Sequence, residues 1–217
     1  MAKGPAMSRE EAVKAIEVGI GMVADLKEKG YNVLATGEMG IGNTTTSSAV
    51  CSVLLDQSVE KVTGKGAGLT NKDLEHKIEV IRQSIALNKV NADDPLDVLA
   101  KVGGLDIAGM AGCYIGGAAL NIPVFIDGFI SSVAALIAIR LVPECAPYLF
   151  PSHCSNEPAG RMILDAIGKQ PYILANMCLG EGSGAVMGFT IADYAFKAYW
   201  ELPSFEQTNF GTYEELN

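Results

Sequence analysis

Gly37-Glu38-Met39-Gly40-Ile41-Gly42-Asn43-Thr44-Thr45 decides how this chain is read. The stretch follows a strand-like run, Tyr31 to Thr36, and opens an apolar helix of small residues expected from Thr45 to Leu55. Its spacing is that of a P-loop, Gly-x4-Gly-Lys-Thr, with Asn43 standing where the lysine belongs. Glycines at these places let backbone N–H groups crowd an anion at a helix N-terminus, where the dipole favours negative charge. Without the lysine, nothing local neutralises the adjacent phosphates of ATP. A single phosphate, as on a mononucleotide, is the better guest. Glu38 and Asn43 point the same way, because a turn made only for close packing has no need of them.

Outward from this loop the chain repeats one pattern. Ser8 and Glu11 form a capping box, and Val13, Ile16, Ile20 and Val23 recur at helical spacing until Gly30. Lys61 to Leu69, with three glycines, reads as a loop or strand end. Asn71 to Val90 reads as an amphipathic helix striped by Leu74, Ile78, Ile81 and Ile85. Asp93-Asp94-Pro95 starts a short helix to Lys101, and Gly103-Gly104 leads into a small-residue helix, Ile107 to Leu120. Strands are expected at Ile122–Ile126, Tyr148–Phe150 and Tyr172–Ala175, with helices at Ser131–Leu141, Ala159–Ile167 and Ala185–Glu201. Strand, polar or glycine loop, helix: the order occurs four times. It predicts an α/β fold of three layers, a mostly parallel Rossmann-like sheet with helices on both faces. The chemically interesting loops all follow strands, the end at which such sheets bind ligands.

Composition limits the partners. A net charge of −9 with no long basic run argues against nucleic acid and anionic membranes. Five scattered cysteines without a Cys-x-x-Cys pair fit a reduced, cytoplasmic chain, and two histidines are too few for a zinc site. Neither a metal nor another cofactor is expected. Ile122 to Val142 is too interrupted by Asp127, Gly128, two serines and Arg140 to span a membrane. A chain this apolar, with a helix as small-faced as Ile107 to Leu120, is expected to form a homodimer.

Four further features bear on chemistry. Gly180-Glu181-Gly182-Ser183-Gly184 sets a carboxylate among glycines between a strand and a helix. With Glu38 in an equivalent loop, two carboxylates converge on one crevice, where desolvation and mutual repulsion would raise a pKa for proton abstraction. Asp127 closes an apolar strand, as a cap for the following helix or as a ligand contact. His153 lies between Ser152 and Ser155, but no Gly-x-Ser-x-Gly elbow is present, which favours a satisfied loop histidine. By periodicity alone Lys77 is a surface lysine flanking its helix's apolar stripe.

Six collinear stretches carry a resemblance over essentially the whole chain: Gly4 to Met7, Thr36 to Thr46, Gly103 to Gly112, Phe125 to Ser132, Ser152 to Glu157 and Leu179 to Ala185. Together they resemble the nicotinate-nucleotide–dimethylbenzimidazole phosphoribosyltransferase family of cobalamin lower-ligand synthesis. The resemblance implies a single phosphoribosyltransferase domain over 1–217, without the family's usual leading third. It implies Glu181 as catalytic base. It implies a nucleotide held by the glycine loop, with Glu38, Gly40, Gly42, Asn43 and Thr44, and by Lys77 and Ser155; Asp127, Gly180 and Gly182 are further candidate substrate contacts. The expected partners are nicotinate mononucleotide and an aromatic azole base. Two departures stand out: the absent leading part, which in the family helps close the pocket around the base, and Met177-Cys178-Leu179, where an arginine commonly precedes the leucine.

Two other readings compete. One is a nucleotide-binding fragment or subunit, inactive without a partner segment. The other is a P-loop-like NTPase, disfavoured by Asn43 and by the lack of a clear Mg²⁺-binding aspartate other than Asp127.

Overall fold

The chain is described by a computed structural model over residues 1–208. In order, the elements are α1 (Arg9–Glu28), β1 (Leu34–Ala35), α2 (Asn43–Leu54), α3 (Val59–Val62), α4 (Asn71–Asn88), α5 (Pro95–Val102) and α6 (Leu105–Ala119). They continue with β2 (Val124–Ile126), α7 (Phe129–Leu141), a 3₁₀ helix (Pro143–Tyr148), β3 (Leu149–Pro151), α8 (Gly160–Ala166) and α9 (Ser183–Glu201).

The sheet is parallel, in the order β1-β2-β3, with Leu34 beside Val124 and Val124 beside Leu149. Alternation along β2 sorts the layers. Val124 and Ile126 point into the main core with α6 and α7, and Gly117 of α6 lets the helix approach Val124 closely. Phe125 points the other way, stacked on Phe150 at 5.7 Å and edge-on to Phe189 of α9 at 4.9 Å. Helices therefore cover both faces, as the pattern of the sequence predicts. Gly188 of α9 sits against the Phe125 ring, where a Cβ would come within 2.8 Å.

The strands are shorter than the sequence suggests, for local reasons. Leu34 N–H donates to Pro123 O (3.0 Å), but Pro123 has no N–H to continue the ladder toward Asn32. Tyr31 to Val33 thus stay outside the expected strand. The expected strand Tyr172–Ala175 is reduced to one parallel bridge, Ile173 to His153, before Asn176 turns the chain at φ 51°. The loop or strand end expected at Lys61–Leu69 begins instead with α3, whose Val59 and Val62 are buried.

The capping box at α1 forms as read. Glu11 N–H donates to Ser8 Oγ (3.1 Å) and Ser8 N–H to the Glu11 carboxylate (2.7 Å). The small-residue helix α6 uses its glycines internally. Gly109 and Gly112 let α1 pack backbone to backbone, with Gly112 under Ile16 O and Gly19 against Gly109 O. That removes this helix as a reason to expect a second copy. A run of exposed apolar side chains lies on α9 instead, at Val186, Tyr194, Phe196, Tyr199 and Trp200. Among the described residues, no helix is long and apolar enough to cross a membrane.

Candidate active site

The loops after β1 and β2, the loop after β3 and the loop before α9 meet around a cleft of about 460 Å³. The first wall is the N-terminus of α2. Gly42 precedes it in the left-handed conformation (φ 97°), and no side chain caps the helix. At Gly40 the tips of two side chains close in: a Cβ there would lie 2.7 Å from both Glu38 Oε1 and Asn43 Nδ2, and they would have to give way. Thr44 Oγ1 accepts a hydrogen bond from Lys77 Nζ at 2.8 Å, and the same ammonium donates to Gly64 O at 3.0 Å. Lys77 is only 7% exposed. It reaches inward from α4 under the α2 N-terminus, which overturns the surface-lysine reading taken from periodicity. Burial pushes its pKa down, and the charge of Glu157 partly restores it. Burial pushes Glu157 up, with Lys77 opposing. The cation missing from position 43 is thus supplied from another helix.

The second wall is the start of α9. Gly180, Glu181 and Gly182 are all left-handed, at φ 77°, 60° and 82°. Glu181 N–H donates to Glu38 O (3.2 Å), so the two glutamate-bearing loops are joined by their backbones. Asp127 reaches across from the end of β2 and is 1% exposed. Its Oδ2 accepts from Gly182 N–H (2.9 Å), and its Oδ1 accepts from Gly184 N–H (2.8 Å) and Ala185 N–H (3.1 Å). Asp127 is therefore a helix cap, but of α9 and not of the helix that follows it. The following helix, α7, has Gly128 as N-cap and no side-chain cap.

Between these walls lies His153, 2% exposed. Ser152 Oγ donates its one proton to Ile126 O (2.7 Å), so in the hydrogen-bond network His153 Nδ1–H is the donor to Ser152 Oγ (3.0 Å). Burial holds the imidazole below its ordinary pKa, against the pull of Asp127. Nε2 is then a buried acceptor with no hydrogen-bond partner among the described residues. The expectation of a fully satisfied histidine is met at one nitrogen only.

A protein-family model described as phosphoribosyltransferase matches residues 1–210. The chain belongs to the nicotinate-nucleotide–dimethylbenzimidazole phosphoribosyltransferase family. A relative of that name from Ruminiclostridium cellulolyticum is 56% identical over 99% of this chain and 61% of its own length. Another from Acetivibrio thermocellus is 51% identical over the same shares. The crystal structure of CobT from Thermus thermophilus superposes with a TM-score of 0.91 at 34% identity, covering 97% of this chain and 62% of that one. The chain spans about three fifths of the length of the curated relatives it matches.

Of the candidate site residues, Glu38, Gly40, Asn43, Thr44, Asp127, Ser155, Gly180 and Glu181 line the cleft. Gly42 and Gly182 form the turns behind it, and Lys77 lies beneath Thr44. Ser155 Oγ accepts from Glu157 N–H at 3.3 Å, which ties the loop after β3 to the pocket wall. The two carboxylates do not share one buried site. Glu38 is pushed up by burial, with Asn43 opposing and Asp106 adding to the rise, whereas Glu181 is exposed. The like charge acting on Glu38 is Asp106 and not Glu181. Glu157, His153 and the apolar wall Phe129–Ile130 were not legible as site residues. Glu157 sits inside a quoted stretch, but its value depends on facing Lys77 from a distant loop. Among the described residues, no cluster of three or more His, Cys, Asp or Glu side chains is placed to hold a metal.

Proposed function

We propose that this chain carries the phosphoribosyl-transfer chemistry of its family: the phosphoribosyl group of nicotinate mononucleotide passes to 5,6-dimethylbenzimidazole or a related base. The products are α-ribazole 5′-phosphate and nicotinate. The observation that carries this reading is the pairing, in one cleft, of an uncapped, lysine-backed helix N-terminus with a glutamate on an adjoining loop. The open start of α2 suits one phosphate: backbone N–H groups and Thr44 would bind it, and buried Lys77 would supply the charge.

Glu181 is proposed as general base. The pyridinium ring of the nucleotide leaves ribose C1′ as a neutral nitrogen, taking the electron pair of the breaking bond, so that side needs no acid. The attacking azole nitrogen becomes acidic as its bond to C1′ forms, and one carboxylate accepts the proton. Attack on the face opposite the leaving ring inverts β to α. Holding both reactants in one cleft supplies the orientation. The remaining expectations, a homodimer in a reducing cytoplasm, have support in α9's exposed apolar face and in five cysteines that are all free.

A second reading is favoured by a specific observation: Met39 is 74%, Ile41 97% and Leu179 70% exposed around the cleft mouth. An aromatic acceptor would need more cover than these residues give. In this reading the chain binds the nucleotide, and another segment or copy encloses the base. Thermal unfolding with nicotinate mononucleotide in chelator, against ATP with Mg²⁺, tests the nucleotide site. Stabilisation of about 2.7 kcal/mol is expected at a hundred times the dissociation constant. No shift at millimolar nucleotide overturns the assignment. Chromatographic detection of α-ribazole 5′-phosphate from the chain alone, or only after the relatives' remaining portion is added, separates the two readings.

A further inference from the structure

We propose that Asp127 is a positioning residue for Glu181: its buried carboxylate grips the first turn of α9 and so fixes where that glutamate stands over the cleft. The proposal rests on the reading of Glu181 as base. Its structural part stands separately.

A helix start leaves its first N–H groups without partners, and a preceding Ser, Thr, Asp or Asn ordinarily serves them. Here the preceding residue is Gly182, which has no side chain. The cap comes from Asp127, 55 to 58 residues earlier in the chain, through three N–H groups at 2.8 to 3.1 Å. Asp127 is rigidly based, following β2 directly and preceding buried Gly128 and Phe129. Glu181 lies one residue from the first gripped amide. Its own backbone is left-handed, a conformation that strains a residue with a Cβ and persists only when surroundings impose it. Those surroundings are few. Asp127 holds the Gly182 side, Glu38 O holds Glu181 N–H, and a Cβ on Gly37 would touch Gly182 N at 2.6 Å. The His153 ring lies against Gly184 so closely that a Cβ there would overlap Nδ1, which blocks the turn from sliding inward. The same grip has a second effect. An internal carboxylate already occupies the α9 N-terminus and closes it to a substrate anion, whereas the start of α2 carries no side-chain cap.

The test is Asp127→Asn, which keeps shape and loses the charge and one acceptor. Amide hydrogen exchange on this chain should quicken about tenfold or more at Glu181, Gly182, Gly184 and Ala185, beyond any change at Val133 to Ile137 in the core. Equal acceleration everywhere, or none at the α9 start, overturns the proposal. In turnover, with the relatives' remaining portion added where the chain needs it, kcat should fall about 10²-fold while KM for the nucleotide holds. In a Glu181→Gln background, Asp127→Asn should cost nothing further. A full, multiplied loss there means that Asp127 acts on something other than Glu181. Where Asp127→Asn does not fold, Asp127→Glu decides by the same readouts, because it keeps the charge and shifts the grip by one methylene. Wild-type turnover by Glu181→Gln sinks the base assignment and with it the positioning role. The exchange pattern would then report only whether Asp127 holds α9.

Discussion

α2 and α9 begin alike and are completed in opposite ways. Each follows a left-handed glycine, Gly42 or Gly182, and each has a glutamate shortly before it, Glu38 or Glu181. At α9 the first turn is filled by Asp127 from within the protein. At α2 no side chain fills it, and a buried ammonium lies underneath instead. A helix start is an anion site by default. Under the proposed function, the capped start holds the base glutamate in place and the open one receives the substrate. The lesson is that a glycine loop's role is set by what the fold brings to it, not by its own spacing.

Five changes would break or sharpen that contrast. The largest effect is expected for Glu181→Gln, which should lower transfer by about 10²–10⁴-fold while nucleotide-induced stabilisation persists. Loss of binding instead would put Glu181 on the α2 side of the division. Gly184→Ala comes next. Its methyl has no room beside His153 and Asp127, so unfolding experiments should show a loss of about 3 kcal/mol. Lys77→Met should weaken nucleotide binding by roughly 10- to 100-fold in titration calorimetry, the worth of a charged hydrogen bond. Unchanged affinity would mean that the open helix end acts alone.

Gly42→Ala is the milder partner of Gly184→Ala. Nothing lies within 4 Å of a Cβ there, so only the left-handed backbone resists it, at about 1–2 kcal/mol. A loss as large as that of Gly184→Ala would show that the α2 turn is as tightly enclosed as the α9 turn. The smallest effect is expected for Glu157→Gln. Burial raises the folded-state pKa of Glu157, so the folded protein holds that proton more tightly than the unfolded chain. The resulting stability is present below the ordinary glutamate pKa of about 4.3 and is lost as pH rises through the raised value. The amide mimics the protonated form. Glu157→Gln should therefore melt higher than wild type at pH 7, and the gap should close below about pH 4.

What the sequence made legible was local. The Ser8–Glu11 box, the two glycine loops and the order of strands and helices all depend on residues a few positions apart. What it hid was long-range. Asp127 read equally as a cap for its own helix or as a ligand contact, because the amides it serves lie 55 to 58 positions away. Lys77 looked like a surface residue because its stripe gives the helix's average face, while a single inward turn of side chain finds Thr44, 33 positions away. Strand lengths were overread because β-rich composition says nothing of the partner's missing N–H at Pro123. The repulsion of Glu38 by Asp106 was likewise invisible, since each lies in a separate segment that gives no sign of the other.

The distance between Asp127 and the turn it caps also sets an order in time. A ribosome makes Asp127 first and the Gly184 amide 57 residues later, an interval on the order of 3–11 s at ordinary elongation rates. Through that interval the growing chain carries a carboxylate at the end of its central strand with no amides to receive it. The α2 half of the cleft can be assembled by then. The α9 half cannot, because its cap and its first turn have not yet met. In synthesis, the turn before α2 and Lys77 beneath it thus precede Asp127, and the Glu181 turn comes last of all.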